Sequence, residues 1–287
     1  MRVGVTGSKG MLGAAVSSHL AAAGHLVVNL DSYCRAPSPS ALECITEELD
    51  WVLHFAARTS IADSHDDPEG FVRDNLASTR AALDVASSRR SALLFMSSYV
   101  YGRPRYNPID EQHSVSSLNA YMASKLESER LCQDVCLQQE IPLVILRPFS
   151  IFGARRQPGR LVSDLLEYVR TGEPLEINDS EPRRDHLYVV DFCGLVQLIV
   201  EASPRRAGLF NVGSGVGHSN LEVAELVRRL AGDERPVQVA KQPRRNDVSE
   251  CVAELSAVEA AFHWQPRHSL EVALSELLDA QRVGLTR

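Results

Sequence analysis

Two short stretches of the sequence hold side chains able to do chemistry together. MSSYVYG, Met96 to Gly102, ends an apolar run with two serines, two tyrosines and a glycine. YMASK, Tyr121 to Lys125, follows soon after at the start of a helical pattern. Residues four apart share a helix face, so Tyr121 and Lys125 stand side by side. A free phenol, with a pKa of about 10, is a poor base at neutral pH. A neighbouring ammonium favours the phenolate. Tyr121 can then take a proton from an alcohol or give one to a carbonyl oxygen, while a serine hydroxyl across the site holds the same oxygen. A nicotinamide placed alongside exchanges hydride at the attached carbon. Such a set works only beside a dinucleotide-binding fold.

The amino terminus supplies one. RVGVT, Arg2 to Thr6, reads as a short buried strand, and Gly7, Gly10 and Gly13 follow at equal spacing. Leu12, Val16 and Leu20 then recur with helical period, and Leu26 to Leu30 reads as a second strand. In a strand, glycine turn, helix, strand unit, one glycine permits the tight turn and one lets a pyrophosphate approach the backbone. The third permits close helix packing, with the helix amino terminus facing the phosphates. Asp31 closes the second strand. A carboxylate there accepts both ribose hydroxyls of an adenosine and repels a 2′-phosphate, which favours NAD over NADP. Arg35 lies close enough to bind such a phosphate, so NADP is not excluded.

Further elements must position the reactive residues. Ala36 to Ser40 is a turn-rich connector, and LECIT after it can form a small strand. Leu49 to Arg58 reads as a strand ending in the small residues Ala56 and Ala57, as expected where backbone passes close to a cofactor. Pro68 to Ser87 has a helical pattern containing Asn75; Ser91 to Met96 and Leu143 to Phe149 are further strands. Strand and helix alternate, so the fold class is α/β: a Rossmann-type, mostly parallel sheet with helices on both faces, plus a smaller mixed substrate-binding lobe. Ligands of such sheets sit beyond the carboxyl ends of the strands, where MSSYVYG lies. In the carboxyl-terminal half, HLYVVDFCGLVQLIVEA runs from a strand into a helix, FNVGSG is a strand and turn, and Asn220 can cap the helix after it.

The composition narrows the function. The 287 residues carry a formal charge of -7, with 44% hydrophobic and 23% charged residues. That balance argues against a nucleic acid polymer or an anionic membrane as partner. The six cysteines lack CxxC or CxxH spacing and read as core side chains of a reducing compartment. There is no compact metal-ligand set. The opening MRVGVTG enters a strand pattern directly, and no run of 18 apolar residues follows; the expected location is cytoplasmic.

The series of motifs resembles an extended short-chain dehydrogenase/reductase of the NAD-dependent epimerase/dehydratase family acting on nucleotide sugars. TGSKGMLG resembles its TGxxGxxG turn, HFAAR its HLAA strand end, and DNLAST its NxxGT segment. MSSYVYG resembles SSxxVYG, LRPFSIFGARR resembles LRxxNxYGP, and RRDHLYVVD resembles RDxxYVxD. YMASK, FNVGSG and the tail FHWQPRHSLEVAL complete the series.

The resemblance implies a catalytic set of Ser97, five before Gly102, with Tyr121 as acid/base and Lys125 as its electrostatic partner and ribose contact. It implies cofactor binding by Gly7, Gly10, Met11, Gly13, Asp31, Ala56, Ala57, Asn75 and Pro148, besides Tyr121 and Lys125. Substrate contacts are expected from Ser98, Tyr99, Ser150, Arg184 and Arg244, with Arg155, Arg156, Arg183 and Arg245 as further cations suited to a diphosphate. Ser150 stands where the family carries an asparagine. Residues 1-150 are expected to form the dinucleotide-binding domain, rejoined by strands around 185-215. Residues 151-184 and 216-287 would form most of the substrate lobe. A 4,6-dehydratase of the family needs an adjacent Asp-Glu pair where Ser98 and Tyr99 stand here. Two redox readings therefore lead: a nucleotide-sugar 4-epimerase working through a 4-keto intermediate, or a 4-ketoreductase using NADH or NADPH. A non-catalytic dinucleotide-binding regulator is the third. A homodimer through the helices around 68–87 and 123–137 is the family expectation.

Overall fold

The computed structural model describes residues 1–60, 63–173, 176–240 and 248–284. In chain order the first half runs β1 (Arg2–Thr6), α1 (Met11–Ala22), β2 (Leu26–Asn29), α2 (Asp31–Arg35), α3 (Pro39–Glu43), β3 (Trp51–His54), α4 (Asp63–Asp66), α5 (Pro68–Arg89), β4 (Ala92–Met96), α6 (Ala120–Gln138) and β5 (Leu143–Pro148). The second half runs β6 (Ser150–Phe152), α7 (Leu161–Thr171), β7 (Glu176–Ile177), β8 (Arg183–Tyr188), α8 (Val189–Glu201), β9 (Gly208–Val212), β10 (Gly217–Ser219), α9 (Asn220–Ala231), β11 (Gln238–Val239), β12 (Glu250–Cys251), α10 (Ser256–Phe262) and α11 (Leu270–Arg282).

Six strands form one parallel sheet in the order β2-β1-β3-β4-β5-β9. Its strands are apolar on both faces because both faces are covered. Ala92, Leu94 and Met96 of β4 join Val16, Leu20, Phe192 and Val196 on one side. Leu93 and Phe95 join Ala82, Val85, Cys132 and Cys136 on the other. The period of two along the strand thus divides α1, α8 and α10 from α5 and α6.

A second sheet of four strands has β8 at its centre, paired with β6, β10 and β12. It leads into a smaller apolar cluster formed by Phe152, Leu165, Val223, Leu274 and their neighbours. Of the segment expected to rejoin the large sheet, β9 does so, whereas β8 belongs to the second sheet. Conversely, Val258, Phe262 and Trp264, assigned from sequence mainly to the lobe, pack in the core under the large sheet.

Three local expectations change. LECIT forms no strand, since Pro39–Glu43 is a helix capped by the Ser38 hydroxyl. Asp31 starts α2 instead of closing β2. Ser219, not Asn220, caps α9: its hydroxyl accepts from Glu222 N while the Glu222 carboxylate accepts from Ser219 N, closing a capping box. Among the described residues no helix is long and apolar enough to cross a membrane.

Candidate active site

The glycine turn is built for close approach. Gly7 has φ +70, and a Cβ on it would stand 2.7 Å from Ala56 N. A Cβ on Gly13 would lie 2.1 Å from Gly7 O, so the first turn of α1 needs glycine to pack on the loop. Gly10 N donates to Gly7 O at 2.8 Å. Met11 is the first residue of α1, and Ala56 N donates to Thr6 Oγ1 at 3.2 Å, which fixes the end of β3 beside the turn. Ala57, next along that strand end, is half-buried.

Asp31 binds the turn itself. Its carboxylate accepts from Gly7 N at 2.5 Å, from Ser8 N at 3.2 Å and from Ser8 Oγ at 2.7 Å. A carboxylate has about four acceptor positions. The arrangement leaves room for one ribose hydroxyl, and a second requires Ser8 Oγ to turn away. The glycine cradle and this acceptor fit the pyrophosphate and adenosine of a dinucleotide.

Asn75 is buried in α5 and is not a plain surface residue. Its Oδ1 accepts from Arg58 N at 2.7 Å, and its Nδ2 donates to Arg58 O at 3.2 Å and to Ser124 Oγ at 2.9 Å. It therefore clamps the loop just after Ala56 and Ala57 from behind. Pro148 ends β5, in register with Val212.

Asn119 caps α6 by accepting from Met122 N, which places Tyr121 in the first turn. The Tyr121 ring meets Phe71 edge-on, with centroids 6.2 Å apart. Burial raises its phenol pKa, while the nearby Ser98 hydroxyl and the Arg160 charge pull it down. One turn on, the buried Lys125 Nζ donates to Met96 O at 2.7 Å and lies 5.1 Å from the Phe95 ring centroid. Burial lowers its pKa to about 8, against an upward pull from Cys132 and Glu129.

The two serines part company. Ser97, the hydroxyl selected by counting back from Gly102, is buried and donates to Glu129. Glu129 is held in turn by Arg147 through Nε at 2.9 Å and Nη2 at 2.6 Å. Arg147 Nη1 donates to the Tyr101 hydroxyl at 3.2 Å, and that hydroxyl donates to Asn211 Oδ1 at 2.6 Å. Ser97 thus belongs to a polar network beneath the site. Ser98 is the serine near enough to the Tyr121 phenol to pull its pKa down. Tyr99 donates to Gly102 O at 2.7 Å and packs edge-on against Tyr101 and Phe149.

On the lobe side, β6 and β8 pair Ser150 with His186, and β10 pairs His218 with Arg184. Directly paired residues share a face. Arg184, His186, Ser150 and His218 therefore line one surface. Arg184 donates to Arg183 O at 2.8 Å, and its charge acts on Tyr99 and His186. His186 Nε2 and His218 Nδ1 are buried without a hydrogen-bond partner among the described residues, and sequence reasoning missed both. Arg183 is engaged by Glu222 at 3.0 Å, Gly217 O at 2.6 Å and Glu250 at 3.5 Å. Arg155 donates to Lys9 O in the glycine turn, and Arg156 pairs with Glu167 at 3.7 Å. Arg244 and Arg245 lie outside the described residues.

A parallel dinucleotide-type sheet with a tyrosine and lysine of one helix face beside a serine strand end defines the site of a short-chain dehydrogenase-like protein. The family model that matches is the NAD dependent epimerase/dehydratase family, over residues 3–213. The chain belongs to that family. It is 31% identical to the UDP-glucose 4-epimerase of Streptomyces lividans over 302 residues, covering 91% of this chain and 90% of that protein. It is 25% identical to the human UDP-glucose 4-epimerase over 331 residues, covering 96% and 95%. Among solved structures, the Thermus thermophilus UDP-glucose 4-epimerase in complex with NAD superposes with a TM-score of 0.87 at 25% identity, covering 98% of this chain and 99% of that one.

Proposed function

We propose that the protein is an NAD-dependent nucleotide-sugar 4-epimerase that works through a 4-keto sugar. The observation that carries this reading is Tyr121 standing beside Ser98 at the carboxyl edge of the sheet, with Lys125 one turn on. Tyr121 is the acid/base at the sugar 4-hydroxyl, Ser98 holds the same oxygen, and Lys125 supplies positive charge beneath them. Gly7, Gly10, Met11, Gly13 and Asp31 would hold the pyrophosphate and adenosine, with Ala56, Ala57 and Pro148 along the path toward the nicotinamide. Bound NAD would supply the redox partner that removes hydrogen from C4 and returns it. Arg184 and Ser150 would hold the substrate diphosphate, with Arg244 as a further cation. The relatives point to a uridine nucleotide as the carrier.

Two experiments bear on this. Purified protein is denatured and the released nucleotide identified; stoichiometric NAD supports an epimerase. The intact protein is then given UDP-glucose without added cofactor, and UDP-galactose is sought by chromatography. An empty site, with NADH or NADPH consumed only when a 4-keto nucleotide sugar is added, would replace this reading with a ketoreductase.

We further infer a homodimer and a cytoplasmic location. A groove of about 980 Å³ runs between α5 and α6, floored by Val72, Leu76, Ala77 and Ala123. Glu69, Arg73, Arg80 and Glu127 line its edges, so the patch carries both charges and suits its own copy about a two-fold axis. Leu76→Glu with Ala123→Glu should sediment as a monomer; a wild-type monomer at micromolar concentration would refute the dimer. The six cysteines, spaced without CxxC or CxxH, support the reading of a reducing compartment.

A further inference from the structure

Glu129 lies one turn beyond Lys125 on α6 and is buried at 3% exposure. Its carboxylate accepts from Ser97, just past the end of β4, and from Arg147 on β5, so it joins both strand ends to α6. We propose that Glu129 is a positioning residue: it ties the serine strand end to the helix bearing Tyr121 and Lys125, and it is the counter-charge that keeps Lys125 an ammonium. The proposal rests on the reading of Tyr121 and Lys125 as the acid/base pair.

The surroundings of Lys125 leave Glu129 as the anion that acts. From its own helix, Tyr121, Glu129 and Cys132 face it. The Cys132 thiol is pushed well up by burial and is neutral at ordinary pH. From β4 come the Met96 carbonyl and the Phe95 ring. From β3 comes His54, which burial and the Lys125 charge keep neutral, with its pKa lowered to about 3. From α5 come the uncharged Asn75 and Thr79, which bond Ser124 and Ser128 of α6. From β5 comes the Arg147 cation, bound to both Glu129 oxygens. Removing Glu129 leaves Lys125 beside an unpaired Arg147. Removing Arg147 leaves Lys125 beside an unneutralised carboxylate. The two changes act on the ammonium with opposite sign, which a purely structural role does not predict.

The sequence contains only Lys9, Lys125 and Lys241, so Lys125 can be titrated directly by NMR with Cε-labelled lysine and assigned by Lys9→Arg and Lys241→Arg. Glu129→Gln should move its titration down by roughly one pH unit, and Arg147→Met should move it up by a similar amount. Glu129→Asp, which keeps the charge, should restore most of the wild-type value. The alkaline limb of kcat/KM should follow each shift. If one variant fails to fold, the other still carries the sign. An unmoved Lys125 in the folded variants, or a shift of the same sign in both, would overturn the proposal. The titration needs no substrate. A wild-type chain that fails to epimerise would sink the functional reading and leave this one to be decided by Lys125.

Discussion

Lys125 Nζ is hydrogen-bonded to the Met96 carbonyl at 2.7 Å, so the helix carrying the acid/base pair is fastened to the residue just before the two serines. Beyond that point the two serine hydroxyls serve different residues of α6. Leu93 and Phe95 of β4 face the α5 and α6 layer, and Ser97, the first residue past the strand, donates to Glu129 of α6. Ser98, next along, acts instead on Tyr121, two turns nearer the start of that helix. Ser98→Ala should reduce kcat by about 10²-fold or more, the size of one lost hydrogen-bond or proton-transfer partner. Ser97→Ala should cost less than about tenfold in kcat but lower unfolding stability by roughly 1–3 kcal/mol. The reverse order in steady-state rates would return the role to Ser97.

How this site reads from sequence turns on that same stretch. Glycine spacing and the strand-helix alternation follow local rules, and the structure shows that strand, turn and helix within a parallel sheet, with Tyr121 and Lys125 one turn apart on α6. The count back from Gly102 selects Ser97, whereas the choice of Ser98 rests on its effect on the Tyr121 phenol, which no local spacing encodes. Arg147 inside the apolar strand LVILRP was a further sign of a buried ion pair, but its partner Glu129 is remote in sequence and only the packing of α6 on β5 joins them. His186 and His218 meet through strand pairing of β8 with β10, which no local pattern encodes.

Arg160 gives a test of the tyrosine. Burial raises the Tyr121 pKa, and Arg160 at the start of α7 opposes that rise. Removing the cation leaves the phenol harder to ionise. Arg160→Ala should therefore raise the pH at which the Tyr121 phenol ionises, read by NMR of Cζ-labelled tyrosine and assigned with Tyr121→Phe. A titration unchanged in position would mean that Arg160 does not act on Tyr121.

Two buried histidines set the response to acid. The pKa of His54 is lowered to about 3 by burial and then by the Lys125 charge, and that of His186 to about 3 by burial, then His218 and Arg184. Unfolded, each takes up a proton near the usual histidine pKa of about 6.5. The unfolded chain thus binds more protons between those values, and stability falls as pH drops through them by roughly 1.4 kcal/mol per unit for each histidine. Urea unfolding at pH 7.5 and pH 5 should show the loss. His186→Phe retains an aromatic ring beside Phe152 and should flatten the slope. An equal slope in that variant would show that His186 does not titrate as its burial demands.

The glycine turn offers the sharpest contrast between packing and flexibility. A methyl group at Gly13 would lie 2.1 Å from the Gly7 carbonyl oxygen, a backbone atom with no side chain to swing aside. Relief requires α1 to lift from the turn, which also displaces the Gly7 and Ser8 amides that Asp31 holds. Gly13→Ala should therefore lower Tm and abolish retention of NAD on purification. Gly24→Ala is the control: nothing lies within 4 Å of its added Cβ, but φ is +85, so only backbone strain of about 1 kcal/mol is expected, with NAD retained. Nucleotide released on denaturation, measured for both variants, separates the outcomes. Wild-type NAD content in Gly13→Ala would show that the cradle tolerates the shift and that the pyrophosphate is held elsewhere.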